Sequence, residues 1–500
     1  MSKSSPDSTD FNPEADSIED ATVIIDRRPM ALVLLRKFRP QLILITMLLC
    51  FLHAVGSSGP EGLSPEGWKA VCVFALAVAL WVSALIPLAI TGLMAIALIP
   101  MLEILDAPTT YSYFGSNAVF FILGAFTLGA AVVGCGLSAR MTTSALKRFG
   151  TSPTGLVRGV YFFTAAASCL ISEHAVAAMS FPVVWELARS FQSPGKENRV
   201  GKGLFFAMAW GCIVGGTTTI LGGGRAPLAI GILEETTGHT IGFVEYMLLD
   251  LPLVVILLGV GWILLHTMLK GATDSMTAAM EILERRIRDQ GKTTLREKLV
   301  GLALLATVGF WVTFGEELGL ANIAILSTSA LFIFGLVSWQ DIEENVNWGI
   351  ILMYGGAITL GSALAATGAA QWMTELMVGD WQGSPELLMM TIGVLSVVLT
   401  EFMSNSAVIA ILMPPALSLA TSHGIDPRLM TMAVVLPSNF AFMLPMATPA
   451  TAMAYSSGTF SPAEAIRRGA IMDLAGVVLL AALIYVYWPT AQALLATYGG

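Results

Sequence analysis

An all-α protein that crosses a membrane many times is predicted by three observations. Of 500 residues, 55% are hydrophobic and 12% charged, where soluble domains carry about 25% charge; mean hydropathy is +0.75. Apolar stretches long enough to cross a core of about 30 Å, each needing roughly 20 residues, recur from Gln41 to Pro489. Only helices and closed barrels satisfy their backbone in lipid, and continuous apolar runs select helices. Finally, two separated motifs recur at one spacing of 232 residues. Ser172, Ala175, Val176 and Pro182 are matched by Ser404, Ala407, Val408 and Pro414, and Gly124-Ala-Phe-Thr127-Leu-Gly129 by Gly356-Ala-Ile-Thr359-Leu-Gly361. That points to an internal duplication.

The net charge of −9 owes much to the first 26 residues, with Asp7, Asp10, Glu14, Asp16, Glu19, Asp20 and Asp26. Such a segment is too polar to bury a core and is read, with its basic flank, as a disordered unit 1–40. Arg27, Arg28, Arg36, Lys37 and Arg39 precede the first span, about 41–56, which places the N-terminus in the cytoplasm. No apolar stretch follows a basic start directly, as a signal peptide requires, so this span is expected to be retained. Spans near 69–86 and 88–105 follow, broken at Pro87. The five cysteines lie in apolar runs and suit packing better than a disulfide framework.

After a span at 116–138, Arg140, Lys147, Arg148 and Arg158 mark an inside loop, and Arg189, Lys196, Arg199 and Lys202 mark another. The residues between them, 159–188, are too few for two crossings. A re-entrant hairpin is expected, with its tip near Ser172-Glu173-His174; polar backbone at that depth must line a cavity or be buried in protein. A span broken at Gly215-Gly216 and Gly222-Gly223-Gly224 covers 203–245, and 248–268 closes a first half, 41–268. Residues 269–298 read as a cytoplasmic amphipathic linker, apolar at Met276, Met280, Ile282, Leu283 and Ile287.

The second half, 299–500, holds spans near 299–317, 320–338 and 348–371. The loop 372–390 has Glu375, Asp380 and Glu386 and no Lys or Arg, unlike its basic counterpart, so corresponding loops face opposite sides and the repeat is inverted. An outer re-entrant hairpin at 386–418, a broken span at 429–459 and a last span at 470–490 complete eleven spans plus two hairpins. The C-terminus is expected outside.

Inverted repeats with broken helices are typical of secondary transporters, whose substrate and ion sites lie at the repeat interface. Ser and Asn at a tip offer hydroxyl and carbonyl oxygens to Na⁺, while helix N-termini attract anions. A lone Ser-Asn pair reads as an ordinary cap; duplicated tips favour a site.

At this point, over roughly residues 41–495, the chain resembles the divalent anion/sodium symporters, which carry dicarboxylates, citrate or sulfate. In that family each hairpin carries Ser-Asn-Thr, and the broken helices carry Gly-Thr-Pro-Pro-Asn and Ala-Thr-Pro-Pro-Asn. Thr400-Glu-Phe-Met-Ser404-Asn405-Ser406 and Ala447-Thr448-Pro449-Ala450-Thr451 follow the second-half pattern. The resemblance implies one Na⁺ at Thr400, Ser404, Asn405 and the carbonyl around Ala447, with the anion at Asn405, Ser406 and Thr448. In the first half Ser168, Ser172 and Gly222 match ion-site positions. Glu173 and His174 stand where Asn and Thr are expected, and Gly222-Gly223-Gly224-Arg225-Ala226 where Gly-Thr-Pro-Pro-Asn is.

Ionisable residues at membrane depth face a partner or a cavity. For Glu173, His174 and Arg225 three readings stay open. Glu173 and Arg225 form a structural ion pair; Arg225 gives positive charge to the substrate in place of a Na⁺ or beside one; or Glu173 or His174 takes up a proton during the cycle. Ser172, Glu173, His174 and Arg225 are accordingly first-half substrate candidates. Glu401, Asp473 and Glu186 are read as solvated or locally paired.

The expected function is a secondary active transporter of the cell membrane, not an enzyme. It moves a small divalent anion, dicarboxylate or sulfate, with Na⁺ as coupling ion, without an organic cofactor or nucleic acid; the resemblance implies a homodimer. The rivals are an H⁺-coupled carrier or anion exchanger of the same fold, and, remotely, an intramembrane enzyme. Against the last, the second tip has Ser406 where Ser172 is followed by His174.

Overall fold

The computed structural model describes residues 30–192, 197–271, 274–378, 381–446 and 448–491. The acidic segment 1–26, Arg27, Arg28, Lys196, Asp380 and Ala447 lie outside them. The chain divides into a short unit, Met1–Cys50, and a large one, Phe51–Gly500. The regular elements among the described residues are all helices, without a strand.

α1 (Met30–Val55) and α2 (Pro65–Ser83) are long apolar helices, and Ser64 starts α2 by accepting from Gly67 N ahead of Pro65. α3 (Leu88–Met101), a short α4 (Ala107–Phe114), α5 (Asn117–Gly134) and an amphipathic α6 (Leu137–Phe149) follow. α7 (Pro153–Ser168) and α8 (Glu173–Ser190) form the first hairpin; α9 (Arg199–Thr217) and α10 (Arg225–Thr237) are the halves of a broken helix. α11 (Phe243–Met268) and the linker helix α12 (Thr277–Gln290) lead into the second half. There α13 (Leu295–Leu318), α14 (Leu320–Ile333), α15 (Trp339–Asn345), α16 (Trp348–Ala366) and α17 (Ala369–Val378) precede the second hairpin, α18 (Pro385–Phe402) and α19 (Asn405–Ser422). α20 (Pro427–Val435) and α21 (Pro449–Ser456) flank an unwound stretch, and α22 (Pro462–Ala482) is the last.

Ten helices among the described residues are long and apolar enough to cross a membrane, against the eleven expected. The difference has a simple origin. α3 and α14, of 14 residues each, and the pair α20 and α21 are too short to qualify singly, whereas the hairpin arms α18 and α19, of 18 residues each, do. The first hairpin also exceeds its expected bounds, 159–188. Ser152 accepts from Gly155 N ahead of Pro153, so α7 starts six residues earlier, and α8 runs to Ser190. Arms of 16 and 18 residues reach about 24 and 27 Å at 1.5 Å per residue, most of a bilayer core. Their basic ends, Arg158 and Arg189, were excluded from the apolar window, although long cationic side chains extend to the interface.

Several boundaries repeat. α3 and α14 have the same length and start 232 residues apart (88 to 320); α8 and α19 do likewise (173 to 405). α3 packs on α16 and α14 on α5, a crossed pairing of equivalent elements. A Cβ on Gly356 would land on the Gly92 backbone, and one on Gly124 would land on Ala324, the same pair of positions shifted by 232. Gly356→Val is therefore expected to separate α3 from α16 at a cost of about 1–3 kcal/mol, the usual scale of overpacking. Thermal unfolding of the purified protein in detergent checks this, and an unchanged midpoint would refute it.

α9 and α10 sit at the centre. Nearly all of α9 is buried, and α10 packs against α5, α16, α19 and α20. In contrast α11 exposes Leu248, Leu251, Val255 and Ile263, α13 exposes Leu302, Leu305 and Phe310, and α22 exposes Leu474 and Val478. Such contiguous apolar surface suits lipid.

Candidate ion and anion site

The first tip is the connection between α7 and α8. Ser172 caps α8, its Oγ accepting from His174 N at 3.3 Å. Glu173 is fully buried, and its N–H donates to Gly222 O at 2.8 Å. Arg225 opens α10 at 3% exposure; Nη1 donates to Glu173 Oε1 at 3.0 Å and Nη2 to Gly216 O at 2.7 Å. Thr219 Oγ1 donates to Cys169 O at 2.7 Å, tying the tip to the break between α9 and α10.

The glycines there serve close approach. α9 continues through Gly215-Gly216 to Thr217, so the break begins later than expected and covers 218–224. A Cβ on Gly215 would strike the Ala165 backbone, on Gly216 the Glu173 side chain, on Gly223 the guanidinium, and on Gly224 the Tyr354 ring.

At the second tip, Met403 and Ser404 join α18 to α19. Thr400 Oγ1 lies 2.7 Å from Asn405 Oδ1 and 2.6 Å from Ser438 O. One hydroxyl hydrogen cannot serve two acceptors at once, so these oxygens converge with fewer protons than contacts. Asn405 Nδ2 donates to Asn439 Oδ1 at 3.0 Å, and Asn439 Nδ2 reaches Ile213 O at 2.6 Å and Thr217 Oγ1 at 2.7 Å. Ser406 Oγ bonds Tyr354 OH at 2.9 Å.

The two tips thus meet through two residues that sequence reasoning missed. Asn439 links Asn405 to α9, and Tyr354 stands between Gly224 and Ser406. Ser438, beside Asn439, adds its carbonyl to Thr400. The signal available was Pro437-Ser438-Asn439 inside the broken span, a polar interruption like the tips themselves.

Among the other candidates, Thr448 is buried but bonds locally, as the cap of α21 accepting from Thr451 N. Ser404 precedes α19 without a side-chain cap bond. Ser168 Oγ is buried without a partner. His174 is half-buried, with Nδ1 3.8 Å from Glu173 Oε1. Ala447 lies outside the described residues.

Glu186 is paired, with Arg285 and Arg286 of α12, as read. A solvated reading fails for Glu401 and Asp473, at 2% and 5% exposure. Glu401 accepts from Met443 N and Leu444 N in the unwound stretch, at 3.1 and 2.8 Å, because the chain turns those amides toward the end of α18. Asp473 lies against Glu401 and the Phe442 backbone.

Known proteins share this architecture. MtrF of Neisseria gonorrhoeae, described as illuminating a class of antimetabolite efflux pumps, superposes with a TM-score of 0.56 at 13% identity, over 87% of this chain and 97% of that one. The Alcanivorax borkumensis YdaH transporter gives 0.52 at 13% identity, over 77% and 88%. Sequence relatives include sodium-dependent dicarboxylate transporters named SdcS. That of Staphylococcus saprophyticus is 24% identical over 463 residues, covering 86% of this chain and 88% of the relative. That of Staphylococcus aureus is 24% identical over 481 residues, covering 90% of each. The protein is a multi-pass membrane transporter and not an enzyme. With residues 36–494 matching the sodium:sulfate symporter transmembrane region, the chain belongs to the sodium:sulfate symporter family.

Proposed function

We propose that this secondary transporter carries a small divalent anion, a dicarboxylate or sulfate, coupled to Na⁺ by alternating access. The observation that carries the reading is the oxygen cluster at the second tip. Thr400 Oγ1, Asn405 Oδ1 and Ser438 O converge with a single hydroxyl proton between them, a donor set that fits a hard cation. Na⁺ held there would supply positive charge that orders the tip receiving the anion.

For the anion, this chain's own donors are the N-termini of α19 and α10, the Ser406 hydroxyl and Arg225 Nε, which is buried without an acceptor. Helix N-termini and a guanidinium both suit carboxylate or sulfate oxygens. The sodium-dependent dicarboxylate relatives support the same substrate class.

The halves read as an inverted repeat in which each hairpin enters and leaves on one face. For the first hairpin, the linker supports this. Just before α7, Lys147 pairs with Glu284 of α12 at 3.7 Å and Gly150 lies against Met280 and Leu283 of that helix, while Glu186 near the end of α8 takes Arg285 and Arg286. Both ends of the hairpin therefore lie near one linker helix. In the cycle, hairpins and broken helices pass together across a scaffold of the remaining spans.

The test is uptake of radiolabelled succinate and sulfate into proteoliposomes under an imposed Na⁺ gradient, an imposed pH gradient, or neither. Accumulation driven by Na⁺ is the expected result. Accumulation driven by pH alone would support a proton-coupled carrier instead, a reading favoured by the two buried carboxyls, Asp473 and Glu401, lying against each other.

A further inference from the structure

The two tips are equivalent in backbone and different in chemistry. α8 and α19 are both 18 residues long and start 232 apart, so Ser168 corresponds to Thr400, Ser172 to Ser404 and Glu173 to Asn405. At the second tip Thr400 Oγ1 and Asn405 Oδ1 converge with the Ser438 carbonyl. At the first, Ser172 Oγ and Glu173 Oε1 are engaged, while Ser168 Oγ and Glu173 Oε2 are buried without a partner.

Gly222 O accepts the Glu173 N–H, Ser172 Oγ accepts the His174 N–H, and Glu173 Oε1 holds Arg225 Nη1. Of the three ion-site positions implied for this half, Ser168 alone keeps an unpartnered oxygen. A positive charge is also already present, since Nη1 and Nη2 reach a carboxylate and a backbone carbonyl at 3.0 and 2.7 Å. The packing is fitted to that group, because a Cβ on Gly223 would overlap the guanidinium and one on Gly216 the Glu173 side chain.

With the guanidinium seated there, the first tip leaves Na⁺ only two free side-chain oxygens, Ser168 Oγ and Glu173 Oε2, a poor donor set for a hard cation. The Glu173 carboxylate is already neutralised by Arg225 and offers no net charge to offset dehydration of the ion.

The geometry points to a first-half ion site in which the Arg225 guanidinium stands permanently where a coupling Na⁺ would bind, so that each copy of the chain takes up one Na⁺, at the second tip, in place of two. This rests on the Na⁺-coupled reading of that second tip. A covalently held cation is present in the loaded and the empty carrier alike, so it assists binding without drawing on any gradient. One Na⁺ moving inward with a dianion carries net negative charge. An inside-negative potential then opposes uptake, at about 2.3 kcal/mol per charge per 100 mV.

Equilibrium binding of radiolabelled Na⁺ to the purified protein tests this without transport. The wild type is expected to bind one Na⁺ per copy with a Hill coefficient of about 1, and Thr400→Ala to bind none. Glu173→Asn combined with Arg225→Ala frees the first tip and is expected to add one, which persists when Thr400→Ala is added. In proteoliposomes, an inside-negative potential should slow uptake by the wild type.

Two Na⁺ per wild-type copy, or one retained in Thr400→Ala, would overturn the inference with no variant of the ion pair needed. Should the wild type bind none while the Glu173→Asn/Arg225→Ala protein binds one, the second-tip reading fails and the replaced first site stands. No binding in either overturns both.

Discussion

Asn405→Ala should abolish Na⁺-driven uptake, raising the Na⁺ concentration for half-saturation at least 100-fold, on the order of the loss when even an outer partner of a metal ligand is removed. The amide does two things at once. Its Oδ1 completes the oxygen cluster around Thr400, and its Nδ2 holds Asn439, which in turn holds α9. Truncation removes an ion ligand and leaves Asn439 Oδ1 without its donor, itself worth about 1–3 kcal/mol when buried.

Asn405→Asp separates the roles. It keeps an oxygen at the ion cluster and adds a negative charge beside the anion's position, so Na⁺ binding should be kept or tightened while anion uptake falls. Measuring radiolabelled Na⁺ binding and succinate uptake on both variants decides the matter. Unchanged Na⁺ dependence in Asn405→Ala would remove the second tip from the coupling mechanism.

What could be read from the sequence was whatever repeats or whatever is rare. The 232-residue spacing found in Ser172/Ser404 and Gly124/Gly356 reappears in the boundaries of α3 and α14 and in the crossed contacts of Gly92 with Gly356 and Gly124 with Ala324. That isolated charges at membrane depth need partners makes a Glu173–Arg225 pair, 52 positions apart in sequence, one of three open readings, and the two do bond.

The short helices α4, α6, α15 and α17 were not visible. They are under two full heptads, and α6 is amphipathic and basic, so it read as loop. Asn439 showed only as part of the polar interruption Pro437-Ser438-Asn439 and Tyr354 gave no signal in its apolar run, because their importance lies in which helices they bridge. For Glu401, read as solvated or locally paired, only the paired alternative holds. A carboxylate next to a tip looks solvated until the amides of Met443 and Leu444 are seen turned toward it.

Removing one member of the Glu173–Arg225 pair should cost about 3–5 kcal/mol, the range for breaking a buried ion pair. Either change leaves an uncompensated charge in a region 0–3% exposed. Arg225→Met and Glu173→Leu are each expected to lower the denaturation midpoint of the purified protein sharply. Glu173→Leu/Arg225→Met together should recover most of the loss, since two well-packed apolar side chains avoid the desolvation that the pair must offset. Equal and additive losses in the single and double variants would mean that the residues stabilise the tip independently. The recovered double variant is informative for transport as well, because it retains the folded tip while lacking the fixed cation. If Arg225 only braces the tip, that protein carries the anion at the wild-type rate; if the guanidinium stands in for an ion, it folds and binds Na⁺ at Thr400 but loses affinity for the anion.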